Sequence, residues 1–251
     1  MEIASLQKGL VLLVDGSEVI EEGAGFGVPV LKYSDKTFFS KTASVFVKEQ
    51  DDKSALIVKV FSLDSVSKKQ VQGTFINDSF YTVIHKIFEK AYLTQGKMRP
   101  IFDWIMRLRK TMGVETFFAQ VPSRGNVTFY YHCFSDHIKV CADFSNVDMS
   151  LCRKILILNE QGASFFRKIR NNKIVMQDQQ IGALVKNVSE FAQFSDLKGH
   201  ISFSIDALDN ADLYYGREQV RDRFSWAGII YVFSPKTLTF NYIIRLKEKI
   251  T

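Results

Sequence analysis

The chain has 251 residues, 46% hydrophobic and 24% charged, which is the balance of a folded globular protein and excludes a disordered or fibrous one. That length buries a substantial core, as one large β domain or as two small ones. Thirty-three Lys and Arg against 27 Asp and Glu leave a net charge of +6, which favours anionic partners in an encounter without bearing on the fold.

At the N-terminus, the apolar run at Leu10–Val14 is too short for a signal-peptide core. Nothing in the chain approaches the roughly 18–20 consecutive apolar residues of a membrane-spanning helix. The expectation is a soluble, cytoplasmic protein with no membrane partner. Leu10–Val14 and Glu18–Glu22 flank Asp15-Gly16, a turn dipeptide that joins hairpin strands because Gly accepts positive φ. Gly23-Ala24-Gly25-Phe26-Gly27 follows. It lacks both the GxGxxG spacing and the GK[ST] ending of phosphate loops and leads into a strand, so it reads as a bend or bulge. Strand-like runs continue at Val28–Tyr33, Thr37–Phe39, Ala43–Lys48 and Ala55–Leu63, separated by short polar turns. The 22 phenylalanines and only 4 prolines suit such pleated, half-buried strands.

The rhythm changes at Asn77. Phe80, Val83, Ile84, Ile87, Phe88, Ala91 and Tyr92 form one stripe at helical spacing. A second stripe of Ile101, Trp104, Ile105, Leu108 and Met112 begins after Pro100 and closes at Gly113. The spacing predicts a two-helix hairpin over 77–113 inserted in the β domain. Seven basic and three acidic residues there give it +4 of the chain's charge, either a solvated face or a contact for phosphates of nucleic acid or for an anionic polysaccharide.

Strands resume at Thr116–Val121 and then at Asn126–Phe144, NVTFYYHCFSDHIKVCADF. Pairing outward from a turn at Ser135-Asp136 sets Phe134 against His137, His132 against Lys139, Tyr130 against Cys141 and Thr128 against Asp143. One face is then apolar and the other rich in titratable groups. His132 or His137 on that face could act as general acid or base, with Asp143 and Tyr130 assisting and Lys139 binding an anionic or hydroxyl group. The same pattern arises from a sheet that shows one wet face to solvent. Glu160, in Asn159-Glu160-Gln161-Gly162, is a further carboxylate at a strand end, or part of a polar turn.

Lys154–Leu158, Ile201–Ile205, Val220–Phe233 and Leu238–Leu246 are further strands, and the last two read as a terminal hairpin around Ser234–Thr237. Only short strands are expected in 160–198. Arg221 and Arg223 lie on one strand face about 6–7 Å apart. They could grip a carboxylate, sulfate or phosphate, or simply be neutralised by Glu218 and Asp222. Three cysteines (Cys133, Cys141 and Cys152) without CxxC spacing indicate neither a disulfide framework nor a zinc site. No cofactor is indicated.

The expected architecture is a single mainly β domain, 1–251. It would be an antiparallel β-sandwich carrying the helical hairpin, or an α+β fold with those helices on one sheet face. In size it resembles the large super-sandwiches of galactose-mutarotase-like proteins, a likeness of fold that fixes no function. Three functions stay open. The first is a binding module for an anionic polymer or glycan that uses Lys139, Arg221 and Arg223. The second is a carbohydrate-active enzyme of epimerase or lyase type that uses His132, His137, Asp143 and Tyr130. The third is a nucleic-acid-associated or structural protein.

Overall fold

The computed structural model describes residues 2–5, 9–14, 17–18, 24–34, 37–39, 43–51, 54–63, 67–72, 115–120, 123–220 and 224–248. The helical hairpin expected at 77–113 lies outside them, as do Arg221 and Arg223. What is described is mainly β and antiparallel. One sheet runs Glu2–Ser5, Leu10–Val14, Gly25–Tyr33, Cys152–Gln161, Phe224–Phe233, Asp212–Val220, Val185–Lys186. A second runs Val175–Gln177, Lys168–Arg170, Phe191–Ser195, Ile201–Asp206, Thr239–Glu248, His137–Asp143, Asn126–Cys133, Ser54–Ser62, Ala43–Asp51. A two-stranded ribbon pairs Ser67–Gln72 with Glu115–Gln120. The one helical element among the described residues is the 3-10 turn Asp178–Gln180.

The two sheets face each other across a shared core, as in a β-sandwich. Alternation makes the inner faces. In Thr239–Glu248, the side chains of Phe240, Tyr242, Ile244 and Leu246 are buried, while Asn241, Ile243, Arg245 and Lys247 point outward. The hairpin strands supply Val127, Phe129, Tyr131, Ile138, Val140 and Ala142 to the same core. Their register places His132 opposite Lys139, Tyr130 opposite Cys141 and Thr128 opposite Asp143, as the turn at Ser135-Asp136 predicts. The first sheet answers with Ile155, Ile157, Ala227, Ile229 and Tyr231.

Several expectations change. Phe224–Phe233 and Thr239–Glu248 do not form a terminal hairpin. The first pairs with Cys152–Gln161 and Asp212–Val220, the second with His137–Asp143 and Ile201–Asp206. The Ser234–Thr237 connection therefore crosses between sheets. Alternation shows that each strand has a buried side, and two strands facing one core from opposite sheets share that pattern with a hairpin. Leu13 and Val14 pair with Glu18 and Ser17, so the strand beside Leu10–Val14 is Ser17–Glu18. The glycine-rich stretch is part of a strand, Gly25–Tyr33, and its partner shows a register shift between Leu158 and Asn159. That is the bulge expected there. Pro29 pairs with Ile157.

Polar ties cross the apolar interior at four places. Asn159 Oδ1 accepts from the Gly27 N–H at 3.1 Å and from the Tyr242 hydroxyl at 2.8 Å. Tyr131 donates to the Gly27 carbonyl at 2.9 Å. Lys59 Nζ, fully buried on the inner face of Ser54–Ser62, donates to the Gly9 carbonyl at 2.9 Å. Tyr231, from the first sheet, donates to the Asp206 carbonyl of the second at 2.5 Å. Beside them Gln161 spans to Leu10 and Leu12, bonding the carbonyl of one and the N–H of the other. Glu160 is buried too, and its carboxylate accepts from the Ala24 N–H at 3.0 Å. The Asn159–Gln161 corner is therefore wall material and presents no carboxylate to solvent.

Gly27 has φ +76°, and a Cβ there would lie 2.6 Å from the Tyr131 hydroxyl. Gly27→Ala is expected to cost about 2 kcal/mol or more, from left-handed strain and overpacking. Chemical denaturation checks this, and a stability within error of wild type would contradict it. Lys59 is predicted to show its burial in a pH profile. Burial lowers its ammonium to about 8, so the unfolded chain holds that proton to higher pH than the native one. Stability should then rise by about 2 kcal/mol between pH 8 and 10 relative to Lys59→Met, which removes the titration. Parallel profiles for the two proteins would overturn this.

Candidate functional site: an open groove on the second sheet

The outward positions of the second sheet carry the chemistry. Where Ile201–Asp206, Thr239–Glu248 and the hairpin turn meet, Asp136, His137, Gln193, Ser202, Ser204, Ile243, Arg245 and Lys247 line an open groove of about 420 Å³. Register explains the assembly. Gln193 lies opposite Ser204, Ser204 opposite Arg245, and Arg245 opposite His137, one continuous row over four strands. Ser202 and Lys247 form the adjacent pair, two residues along.

Several polar groups in the groove have defined partners. His137 Nδ1 lies 2.6 Å from Asp136 Oδ1, and the imidazole stacks on Phe134 at 4.5 Å between centroids with 12° between planes. Lys139 Nζ sits 5.3 Å above the other end of this platform, the Phe134 ring. Arg245 Nη1 pairs with Asp206 Oδ1 at 2.5 Å. Gln193 Nε2 donates to Ser202 Oγ at 2.8 Å, which takes up a serine lone pair and leaves the serine O–H and the amide carbonyl outside this bond. Lys247 is exposed and belongs to none of the ion pairs among the described residues. The imidazole hydrogen bond holds the Asp136 carboxyl below its ordinary range.

The sequence-predicted residues are only partly gathered. His132, His137, Lys139, Tyr130 and Asp143 do share the outer face, as alternation requires. His137 alone among them lines the groove. His132 stands between Leu56 and Lys139 and Tyr130 between Val58 and Cys141, on the far side of the turn. Asp143 lies six residues from His137 along one strand, roughly 20 Å, and roughly 13 Å from the His132 rung. Its carboxylate accepts instead from the Ser145 N–H at 2.9 Å, so the carboxylate that orients His137 is Asp136. The thiols nearby are not activated, since burial pushes Cys133 up to about 11 and also raises Cys141. No cluster of three or more metal-ligating side chains occurs among the described residues.

Sequence reading missed Arg245, Lys247, Ser202, Ser204 and Gln193. Their signal was present in Thr239–Glu248, whose alternation already separates Arg245 and Lys247 from the buried residues. What was lacking was the knowledge that this strand adjoins His137–Asp143. No family model matches the chain, and no curated protein or solved structure matches it. No helix of the described residues is long and apolar enough to cross a membrane.

His137→Ala is predicted to return the Asp136 carboxyl upward to the ordinary carboxylate range, read by carboxyl-carbon NMR titration. An unchanged midpoint would show that the imidazole contact is not made in solution.

Proposed function

We propose that the protein is a binding module for an acidic glycan, held in the groove on the outer face of the second sheet. One observation carries this reading: Arg245 and Lys247 project side by side from one strand over a floor of Ser202, Ser204 and Gln193. Cations beside hydroxyl and amide groups suit a ligand that carries carboxylates among many hydroxyls. The His137–Phe134 stack offers a flat apolar rim for a sugar face. The chain's net charge of +6 assists the encounter with an anion. Lys139 stands at that rim.

A second reading is favoured by the His137–Asp136 contact at the groove's edge. A histidine oriented by a carboxylate is the equipment of an acid/base enzyme, and in an epimerase or lyase acting on a uronate it would move the proton next to the carboxylate. Incubating uronate oligomers with wild type and His137→Ala separates the two. Unsaturated or inverted products that vanish in the variant, with binding kept, would replace the module reading with the enzyme one.

Calorimetric titration with galacturonate oligomers tests the main proposal. Arg245→Gln combined with Lys247→Gln is expected to weaken binding about tenfold or more while leaving the circular dichroism unchanged, and affinity should fall with added salt. Equal affinity for neutral oligomers of the same length, or no binding of any acidic one, would sink the proposal.

A further inference from the structure

Beyond the groove, the same outer face continues over Phe191–Ser195 onto Lys168–Arg170. Across these four strands the register builds two parallel rows. One holds Lys168, Ser195, Ser202 and Lys247, the other Arg170, Gln193, Ser204 and Arg245. All eight are on the side away from the core, because the residues between them (Ile169, Phe194, Phe203 and Leu246) belong to it; seven are at least partly exposed, and Ser202 is buried at the bottom of the groove. Each row thus has a cation at both ends and two neutral hydrogen-bonding side chains in the middle. Three strand spacings separate the ends, about 14 Å, and the rows lie roughly 7 Å apart.

The strand that carries the far pair is anchored at its start. Next to it, Arg167 grips Asp178 through Nε at 2.8 Å and Nη2 at 3.1 Å, and the Asp178 N–H donates to the Arg167 carbonyl at 2.8 Å. The buried Arg217 of the first sheet reaches Asp178 at 3.6 Å and donates to the Ala163 carbonyl at 2.8 Å. The acid beside the near pair, Asp206, is engaged by Arg245. Lys168, Arg170 and Lys247 take part in none of the ion pairs among the described residues.

We infer that this face is a two-ended platform for an acidic polysaccharide whose carboxylates recur on alternate sugars, lying across the strands. One acidic sugar sits between Arg245 and Lys247 and the next between Arg170 and Lys168. The neutral sugar between them lies over Ser195, Ser202, Ser204 and Gln193. This rests on the acidic-glycan reading of the groove and adds the ligand's charge spacing and direction. The spacing also argues against a nucleic acid. A strand with a phosphate at every residue would place charge over the neutral middle.

Oligosaccharides in which glucuronate alternates with N-acetylglucosamine test the inference, as a disaccharide and as a tetrasaccharide, by calorimetry on the full chain. The tetrasaccharide is expected to bind wild type about tenfold or more tighter than the disaccharide, since the second contact is intramolecular. Lys168→Gln with Arg170→Gln should abolish that gain, leaving the tetrasaccharide no tighter than the disaccharide. Arg245→Gln with Lys247→Gln should weaken both ligands. If the two lengths bind wild type equally, or if the Lys168 and Arg170 substitutions change nothing, the two-ended platform is overturned and the groove reading stands. If neither ligand nor galacturonate oligomers bind, the groove reading itself falls. Tighter binding of a single-stranded RNA of equal charge would overturn the platform in favour of a nucleic-acid partner.

Discussion

The Asn159 side chain ties the two sheets together. A single amide oxygen, buried from solvent, takes a hydrogen bond from the Gly27 N–H on its own sheet and another from the Tyr242 hydroxyl on the facing sheet. Hydrophobic burial supplies most of the favourable energy of such a core but is non-directional. Two greasy faces can slide or rotate against each other at little cost, whereas a buried hydrogen bond broken by sliding leaves unsatisfied groups at about 1–3 kcal/mol each. Tyr131 meeting Gly27, Lys59 meeting Gly9 and Tyr231 meeting Asp206 repeat the device at other points of the interface. The bulge at Leu158/Asn159 and the positive φ of Gly27 fall at this same junction.

These inner ties also set the geometry of the outer face. On a strand, fixing one side chain fixes its neighbours on the opposite side. Tyr242 is anchored inward by Asn159, so Ile243 and Arg245 are held outward at known positions on the same strand. Asp206 shows the coupling within one residue. Its carbonyl is held by Tyr231 of the first sheet, and its carboxylate holds Arg245 beside the groove. The groove is thus rigid where it matters, with its cation positioned by a carboxylate that is itself positioned from the core. Such preorganisation lowers the entropy lost when a ligand orders the site.

How much of this the sequence makes legible depends on whether the governing contact is local. The hairpin register at Asn126–Phe144 is legible because a two-residue turn and a period of two leave a single solution, and every pair read from it occurs. The bulge at Gly25–Gly27 is legible from glycine spacing and from what a phosphate loop would require. Strand order is a different matter. Phe224–Phe233 and Thr239–Glu248 are neighbours in sequence and partners of different sheets, a choice made by packing between residues far apart in the chain. The site inherits that limit. His137 could be found from the hairpin alone, but Arg245 reaches it only through the pairing of His137–Asp143 with Thr239–Glu248. Asp143 was expected to serve a histidine because both are on one face, yet a shared face extends along the whole strand, and side chains more than two residues apart on it do not meet.

On the acidic-glycan reading proposed for the groove, its carboxylates bear on which anion it would prefer. Arg245 and His137 each face an acid, Asp206 and Asp136, so neither is a bare charge waiting for any anion. A diffuse polyanion that offers only charge would compete with these internal partners and gain little, because the exposed pairs already satisfy much of the Coulomb attraction. A ligand that brings hydroxyls as well as a carboxylate can bond Ser202, Ser204 and Gln193 while leaving the Nη1–Asp206 contact of Arg245 in place, its carboxylate between Lys247 and the other N–H groups of Arg245. The acids therefore act as a filter, subtracting affinity from every anion equally and leaving the neutral floor to discriminate among them.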